Sequence, residues 1–390
     1  MAAIGCRTTT HHTSLQADSL VTAAVEANLI SGAVLLVARE GHVELLESYG
    51  YAQQYAFGGQ PMSSPVPMQT DHIFDLASLT KVFATTLGIM MLVDQDKVAL
   101  DAPVKTYLPA FSSPAKDSIT VRHLLTHSSG LFPWKPTYYH ATNKHETFDY
   151  ISQLELASPV GKSRRYSDLG FMLLGYLIED VSGQLLDAFL QDELYTKLGL
   201  SKTGFTPSWP SHLIAATSHG NPFEKRMVAD DNFGYVCDED PEAFTGWRQR
   251  VLIGEVNDGN AFHAHQGMAG HAGLFSTAEE LNVLLNLLLN KGMHQGETLI
   301  SPEIVEQFLT MDEFGNGLGW AMSPGIIYAD SPGAFGHTGF TGTYAVAVPE
   351  QSLSIILLTN RQHAGVGEDG RYPSLSQLRR EVVAAVLGGE

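Results

Sequence analysis

Apolar positions change their period twice along the chain. Ala33-Val34-Leu35-Leu36-Val37-Ala38 is a short continuous apolar run, closed by a turn at Glu40-Gly41 and followed by a second run from Val43 to Tyr49. That pattern predicts a β-hairpin over residues 32–50. From residue 78 to about 200 the spacing is helical instead, with stretches at 78–91, 121–126, 169–181 and 185–194. Residues 200–265 show little periodicity and many Gly, Pro, Asp and His, which predicts a long functional loop region or an insertion. A strong helix is predicted over Ala278–Leu289, with Ser276-Thr277-Ala278-Glu279 as a capping box. Strand patterns return at 317–322, 343–348 and 353–359, and a helix near 375–387 closes the chain.

Strand-rich segments thus lie at both ends and helices between them. The expected fold is an α/β architecture. An antiparallel sheet is built from both termini and flanked by helices, and a mostly helical subdomain is inserted in the middle. The expected division is a tail over residues 1–18, a sheet subdomain over 19–75 plus 290–390, and a helical subdomain over 76–289 that contains the loop region 200–265. A site between the subdomains would draw on a helix start from one and a strand edge from the other.

Ser78-Leu79-Thr80-Lys81 carries the first chemical signal. It follows the strand-like Ile73-Phe74-Asp75-Leu76 and opens a helical pattern of Leu79, Val82, Phe83, Leu87, Met90 and Met91. Residues three apart share one helix face, about 5–6 Å between Cβ atoms. The lysine amine can therefore reach the serine hydroxyl, and a serine needs such a base to act as a nucleophile near neutral pH. A helix N-terminus adds free N–H groups and a positive dipole end where an oxyanion would form. A second Ser-x-x-Lys, Ser113-Pro114-Ala115-Lys116, sits in a polar, Pro-broken stretch with no apolar helix behind it, so it reads as loop.

Two further elements stand apart from simple packing patterns. Arg165-Tyr166-Ser167-Asp168 precedes a very apolar helix, so Ser167 or Asp168 can cap that helix while Tyr166 aims its hydroxyl into a cleft as a general base and acid. Gly336-His337-Thr338-Gly339-Phe340-Thr341-Gly342 places three glycines around a polar pair, the mark of a strand that a ligand or another backbone approaches closely.

Taken in order, Ser78-x-x-Lys81, Tyr166-Ser167-Asp168 and His337-Thr338-Gly339 resemble the three signature elements of the serine β-lactamase and penicillin-binding-protein superfamily. The resemblance is greatest to its class C-like branch, which includes DD-peptidases and carboxylesterases. Supporting segments run along most of the chain, among them Leu100-Asp101-Ala102-Pro103-Val104, His123 to Leu131, Gly270 to Thr277 and Leu357 to Arg361. The stretch from Asp258 to Gly273 is similar to that of a sub-branch of cell-wall enzymes, DD-carboxypeptidases and muramyl-L-alanine amidases. The resemblance implies a β-lactamase/transpeptidase-like fold and a serine acyl hydrolase that needs no cofactor. Ser78 would be acylated, Lys81 would be its base partner, and Tyr166 would pass the proton to the leaving group. The backbone N–H groups of Ser78 and Phe340 would form the oxyanion hole, and Asp168, His337, Thr338, Gly339 and His271 would contact substrate. Asp168 stands where many relatives have Asn, and should favour a charged Lys81. His337 replaces a lysine common in β-lactamases. It should hold a substrate carboxylate better as pH falls toward the histidine pKa.

The remaining features narrow partners and location. The 390 residues carry a net charge of −19, which argues against nucleic acid and anionic lipid surfaces. Cys6, after Ala2-Ala3-Ile4-Gly5, resembles the lipidated cysteine of a bacterial lipoprotein signal. It predicts export to the cell envelope or periplasm, with membrane contact only through a lipid anchor. His263-Ala264-His265 followed by His271 invites a metal reading, but Gly267 and Met268 occupy the positions where further ligands would be needed, so no metal site is expected. The expected substrate is a small acyl compound or a peptidoglycan peptide. The alternatives are a promiscuous carboxylesterase with weak β-lactamase activity and a non-catalytic penicillin-binding sensor on the same fold.

Overall fold

A computed structural model describes residues 4–388, with side chains described from Leu15 onward. Strands run in chain order as β1 (Gly32–Arg39), β2 (His42–Ala56), β3 (Gln60–Pro67), β4 (Phe74–Asp75), β5 (Gly204–Phe205), β6 (Leu274–Ser276), β7 (Met293–His294), β8 (Glu297–Thr298), β9 (Phe335–Thr338), β10 (Tyr344–Val348) and β11 (Leu353–Thr359). The main sheet has the order β3-β2-β1-β11-β10-β9, and each neighbouring pair is antiparallel. Its central seam joins the two ends of the chain, with Ala33 opposite Thr359 and Arg39 opposite Leu353.

Both faces of this seam are buried, so the sequence shows an unbroken apolar run where a half-exposed strand would alternate. Leu35, Val37, Ile355 and Leu357 pack on one side with Val382 and Val383 of the helix Ser376–Leu387. The helix Ile4–Glu26 packs against that same C-terminal helix. Leu36, Ile356 and Leu358 point the other way, into a cluster with Leu281 and Leu285 of the helix Ala278–Leu289. The same cluster continues without a break into Phe83, Leu174 and Phe189. Sheet and helical part therefore share one core.

Several expectations need correction. The hairpin is longer than 32–50: β2 runs on to Ala56 and β3 adds a third strand, whose proline-rich sequence Gln60–Pro67 hid it. Residues 317–322 are not a strand. They touch the sheet only through single bridges such as Ala321 to Gly336, because Gly319, at φ +81°, bends the chain. Residues 1–18 are not simply a tail, since the helix from Ile4 passes through them. The Cys6 side chain lies outside the described residues. The cap of Ala278–Leu289 is Thr277, whose hydroxyl accepts from Glu280 N, and not Ser276. That helix was assigned to the helical part, yet it lies on the sheet, where Ser354 Oγ donates to Asn282 Oδ1 at 2.6 Å. The region 200–265 holds more order than its composition suggests. The helices Pro222–Ala229 and Gly259–His265 lie within it.

The seam should dominate stability. Leu357→Ala removes a fully buried side chain from the sheet face under the terminal helices. We expect a loss of about 2–5 kcal/mol in urea unfolding. A loss below about 1 kcal/mol would show that the seam relaxes freely.

Candidate active site

The turn before Ser78 is held on two sides. Ala77 adopts φ +47°, a left-handed conformation unfavourable for a residue with a side chain. Asp75 stabilises it by accepting from Ala77 N at 2.9 Å and, with its other oxygen, from Asn257 N at 2.6 Å. Burial pushes the Asp75 carboxyl up to about 6, and these two hydrogen bonds act against that rise. From the opposite side the turn after β9 presses in. Thr341 Oγ1 donates to Asp75 O and Thr343 Oγ1 to Leu76 O. Gly339 is required there, because a Cβ would sit 2.5 Å from Leu76 O and 2.0 Å from Thr343 Oγ1. The close approach read from the glycines is thus to the turn before Ser78.

The helix that follows begins with a π-helical stretch, Lys81–Thr86, and every residue in it is buried. One face of it grips the segment before β6. Thr80 Oγ1 accepts from Leu274 N, Lys81 Nζ donates to His271 O at 3.0 Å, and Thr85 Oγ1 donates to Gly270 O at 2.6 Å. Lys81 Nζ also lies 3.0 Å from Ser78 Oγ and 2.8 Å from Asp168 Oδ1. An ammonium has three N–H donors; Ser78 Oγ and His271 O each take a hydrogen bond, and the Asp168 carboxylate pairs with the charge. Burial disfavours that charge, but the Asp168 carboxylate and the neighbouring Tyr166 outweigh it and hold the amine above its ordinary range.

Tyr166 faces the same pair, its ring centred 5.0 Å from Lys81 Nζ. Burial raises its phenol above the ordinary range. Lys81 acts against this, Asp168 adds to it, and Ser78 also acts against it. Ser167 Oγ accepts from Gly170 N and so caps the helix Asp168–Ser182. The Tyr166 ring rests on His127, 4.5 Å between centroids, and His127 Nδ1 accepts from Ser167 N at 3.0 Å. Sequence reasoning gave His127 no role. Its positive φ of 57° and its burial under Phe171 fix the loop that presents Tyr166.

Ser78 N and Phe340 N donate to no protein acceptor among the described residues. The Phe340 carbonyl is anchored by Arg361 and by Gln362 Nε2, the latter at 3.0 Å, which fixes the direction of that peptide. A cavity of about 170 Å³ opens beside Ser78, Tyr166 and Asp168. Its other polar walls are Asn257, Glu224, Asp258 and His271, and its apolar walls include Trp134, Phe223, Met227, Tyr235 and Phe340. His271 Nε2 lies 2.9 Å from Asp258 Oδ1. Burial works against the Asp258 charge, but His271 and Ala261 N hold its carboxyl low, to about 2. Glu224, buried beside Asp258, is pushed up instead. Phe223, Glu224 and Met227 all come from the helix Pro222–Ala229. The i, i+4 pair Phe223 and Met227 behind a Pro at the first turn was the available signal for that helix.

His337 has surroundings unlike those expected. It is buried, its Nδ1 lies 2.8 Å from Thr338 O, and it does not line the cavity. Burial and then the Lys81 charge push its imidazole down to about 3, so it is neutral across the physiological range. The expected growth of carboxylate binding toward pH 6 has no source here. Thr338 ends β9, the last strand of the sheet, and Gly339 follows it with its N–H donated to Thr343 O; Ala321 bridges the outer edge of β9 at Gly336. His263 and His265 do not converge with His271. His263 packs on Phe244 and Tyr138, and His265 Nε2 lies 2.7 Å from Tyr176 Oη. Among the described residues no group of three His, Cys, Asp or Glu is placed to hold a metal. Cys237 is a free, buried thiol.

With this geometry in place, the chain belongs to the β-lactamase family, which it matches over residues 17–378, and it is a serine hydrolase of that family. It is 33% identical over 365 residues to the N-acetylmuramyl-L-alanine amidase of Bacillus subtilis (strain 168), covering 88% of this chain and 80% of that one. It is 31% identical over 366 residues to an Escherichia coli (strain K12) protein named as a D-alanyl-D-alanine carboxypeptidase, covering 87% and 81%. Solved structures share the fold. A penicillin-binding protein homolog from Caulobacter crescentus superposes with a TM-score of 0.71 at 21% identity over 96% of this chain and 97% of that one. EstCE1, described as a hydrolase with promiscuous acyltransferase activity, gives 0.70 at 21% over 96% and 99%.

The depressed His337 makes a pH-linked prediction. A histidine neutral in the fold but titrating near 6.5 when unfolded draws protons to the unfolded chain, so its contribution to stability falls as pH drops from about 6.5 toward 3. Variant His337→Gln lacks that term. The stability gap between wild type and variant should narrow by up to about 1.4 kcal/mol per pH unit between pH 6 and 4. A gap constant over that range would mean that His337 is already protonated in the folded protein.

Proposed function

We propose that the protein hydrolyses amide bonds of muropeptides in the bacterial cell envelope through an acyl-enzyme on Ser78. The observation that carries this is the Ser78–Lys81–Asp168 contact set, with Tyr166 against it and two free N–H groups beside it. Ser78 Oγ attacks the carbonyl carbon, and the N–H groups of Ser78 and Phe340 receive the oxyanion. The serine proton enters the Lys81–Tyr166 pair and leaves on the departing amine. Water then attacks the ester carbon as its proton passes to the same pair, and the pair returns that proton to Ser78 Oγ as the acid leaves. Because the resting lysine is a satisfied ammonium, the pair acts as a base only when Tyr166 or Lys81 gives up a proton. An extended peptide would run along the outer edge of β9 at Thr338, past the Ala321 bridge to Gly336.

The choice of muropeptide amide rests on the amidase name of the 33% identical relative and on the cavity walls. No Lys or Arg lines that cavity, so a free C-terminal carboxylate finds no countercharge there. This favours an amidase over a carboxypeptidase. Anchoring through a lipid on Cys6 belongs to the same proposal and follows only from the sequence around it.

Incubation with purified muropeptides, read by mass, tests the reaction. We expect release of the whole peptide from the muramyl residue and a loss of at least about 10³-fold in Ser78→Ala. Loss of a terminal alanine would indicate a carboxypeptidase. No product alongside rapid cleavage of p-nitrophenyl esters would indicate an esterase.

Asp168 supplies a second test. Its carboxylate raises Lys81, so Asp168→Asn should lower the lysine pKa. The ascending limb of the kcat/KM–pH profile should move to lower pH by roughly 1–3 units. An unmoved limb would mean that the titration of Lys81 does not control turnover.

A further inference from the structure

The cavity beside Ser78 is rich in acidic side chains. Asp168, Glu224 and Asp258 line it, no Lys or Arg does among the described residues, and Trp134, Tyr235, Phe223 and Phe340 stand around them. His271 is 1% exposed, lines the same cavity, and its Nδ1 has no partner. Its Nε2 is engaged with Asp258 Oδ1 at 2.9 Å, so Nδ1 is the ring nitrogen left for a ligand. Glu224 accepts from Gly259 N at 2.9 Å and, weakly, from Tyr138 Oη at 3.4 Å, and no ion pair reaches it among the described residues. Arg248 is the nearest guanidinium, but its donors go to Asn221 Oδ1 and to the carbonyls of Val256 and Asn257.

Buried acceptors without donors are costly unless a ligand supplies them. An acidic pair ringed by aromatic side chains, with Asp258 already ionised and Glu224 ionising when a cation arrives, suits one chemistry best, a compact ammonium held by charge and by cation–π contact.

We propose that Glu224, Asp258 and the aromatic walls form a subsite for an ammonium group on the acyl side of the scissile bond. This goes beyond the muropeptide reading and rests on it only for Ser78 as nucleophile. The subsite makes the enzyme select acyl groups bearing a free amine and reject those bearing a carboxylate. Two kinds of substrate offer such an amine close to the carbonyl: an N-terminal amino acid with its α-amine, and a muramyl residue whose 2-amine carries no acetyl group.

The test uses three p-nitrophenyl alkylphosphonates of equal chain length ending in ammonium, hydroxyl or carboxylate. Ser78 Oγ displaces p-nitrophenolate from phosphorus, and the rate of adduct formation is read by intact-protein mass and peptide mapping. The ammonium probe should label at least about tenfold faster than the hydroxyl probe, and the carboxylate probe slowest. In Glu224→Gln, which retains an acceptor for Gly259 N, the ammonium-to-hydroxyl ratio should fall to below about threefold. Equal rates for the ammonium and hydroxyl probes would overturn the subsite, and so would a ratio that Glu224→Gln leaves intact. Labelling by none of the three would instead overturn Ser78 as nucleophile. Calorimetric binding of n-butylammonium against n-butanol then decides the subsite, and equal affinities refute it. Once the preference is found, alanyl p-nitroanilide and muramyl-L-alanine lacking its N-acetyl group tell the two sources apart.

Discussion

A charge buried in a protein interior is tolerated only when every donor it carries is met. The Lys81 ammonium is the clearest instance here. It is fully buried, and its acceptors come from three stretches of chain: the Ser78 hydroxyl one turn away and, far along the sequence, the Asp168 carboxylate at the start of a core helix and the carbonyl of His271 before β6. Each of these stretches must be in place for the lysine to stay charged and dry. Ser78, the tyrosine loop and the acidic wall of the cavity are therefore positioned by one electrostatic requirement. Taking away any one acceptor would leave a buried cation short of partners, which is far costlier than losing a surface contact.

Around that charge, carboxylates are sorted by their neighbours. Asp168 faces an ammonium and Asp258 faces an imidazole. Asp75 and Glu224 see mainly backbone N–H groups and apolar walls. Burial raises both members of the second pair, while a partner holds Asp258 low. One small region thus contains carboxyl groups of very different acidity, set by position and not by residue type. Asp75 serves the backbone of the turn before Ser78. Glu224 and Asp258 look into the cavity.

Much of this was legible in the sequence, and the rest was hidden for physical reasons. The strands at both ends, the helix Asp168–Ser182 and the Ser78, Lys81 and Tyr166 elements were readable because periodicity and spacing are local properties. β3 escaped because prolines mask an edge strand, and residues 317–322 misled because extended, apolar chain can lie against a sheet without joining it. Pro222–Ala229 escaped because a short helix inside a loop-rich stretch has too few turns to show its period. His127 has no signature at all in one dimension, since its role is to be touched by Tyr166 and Phe171 from elsewhere in the chain. The neutrality of His337 was invisible for the same reason, because the burial and the Lys81 charge that depress it come from the folded site.

The central seam of the sheet also carries a kinetic consequence. β1 is apolar on both faces, and its far neighbour is β11, whose residues lie at the opposite end of the chain. During synthesis β1, β2 and β3 are complete long before β11 exists, and until then one edge of β1 is an unpaired, greasy template. Pairing so remote in sequence is slow to close and open to aggregation while it waits. The nascent chain is thus obliged to be sheltered, or to remain unfolded, until almost its last residues have emerged. A truncation that removed only the C-terminal strand would strand the N-terminal hairpin as well.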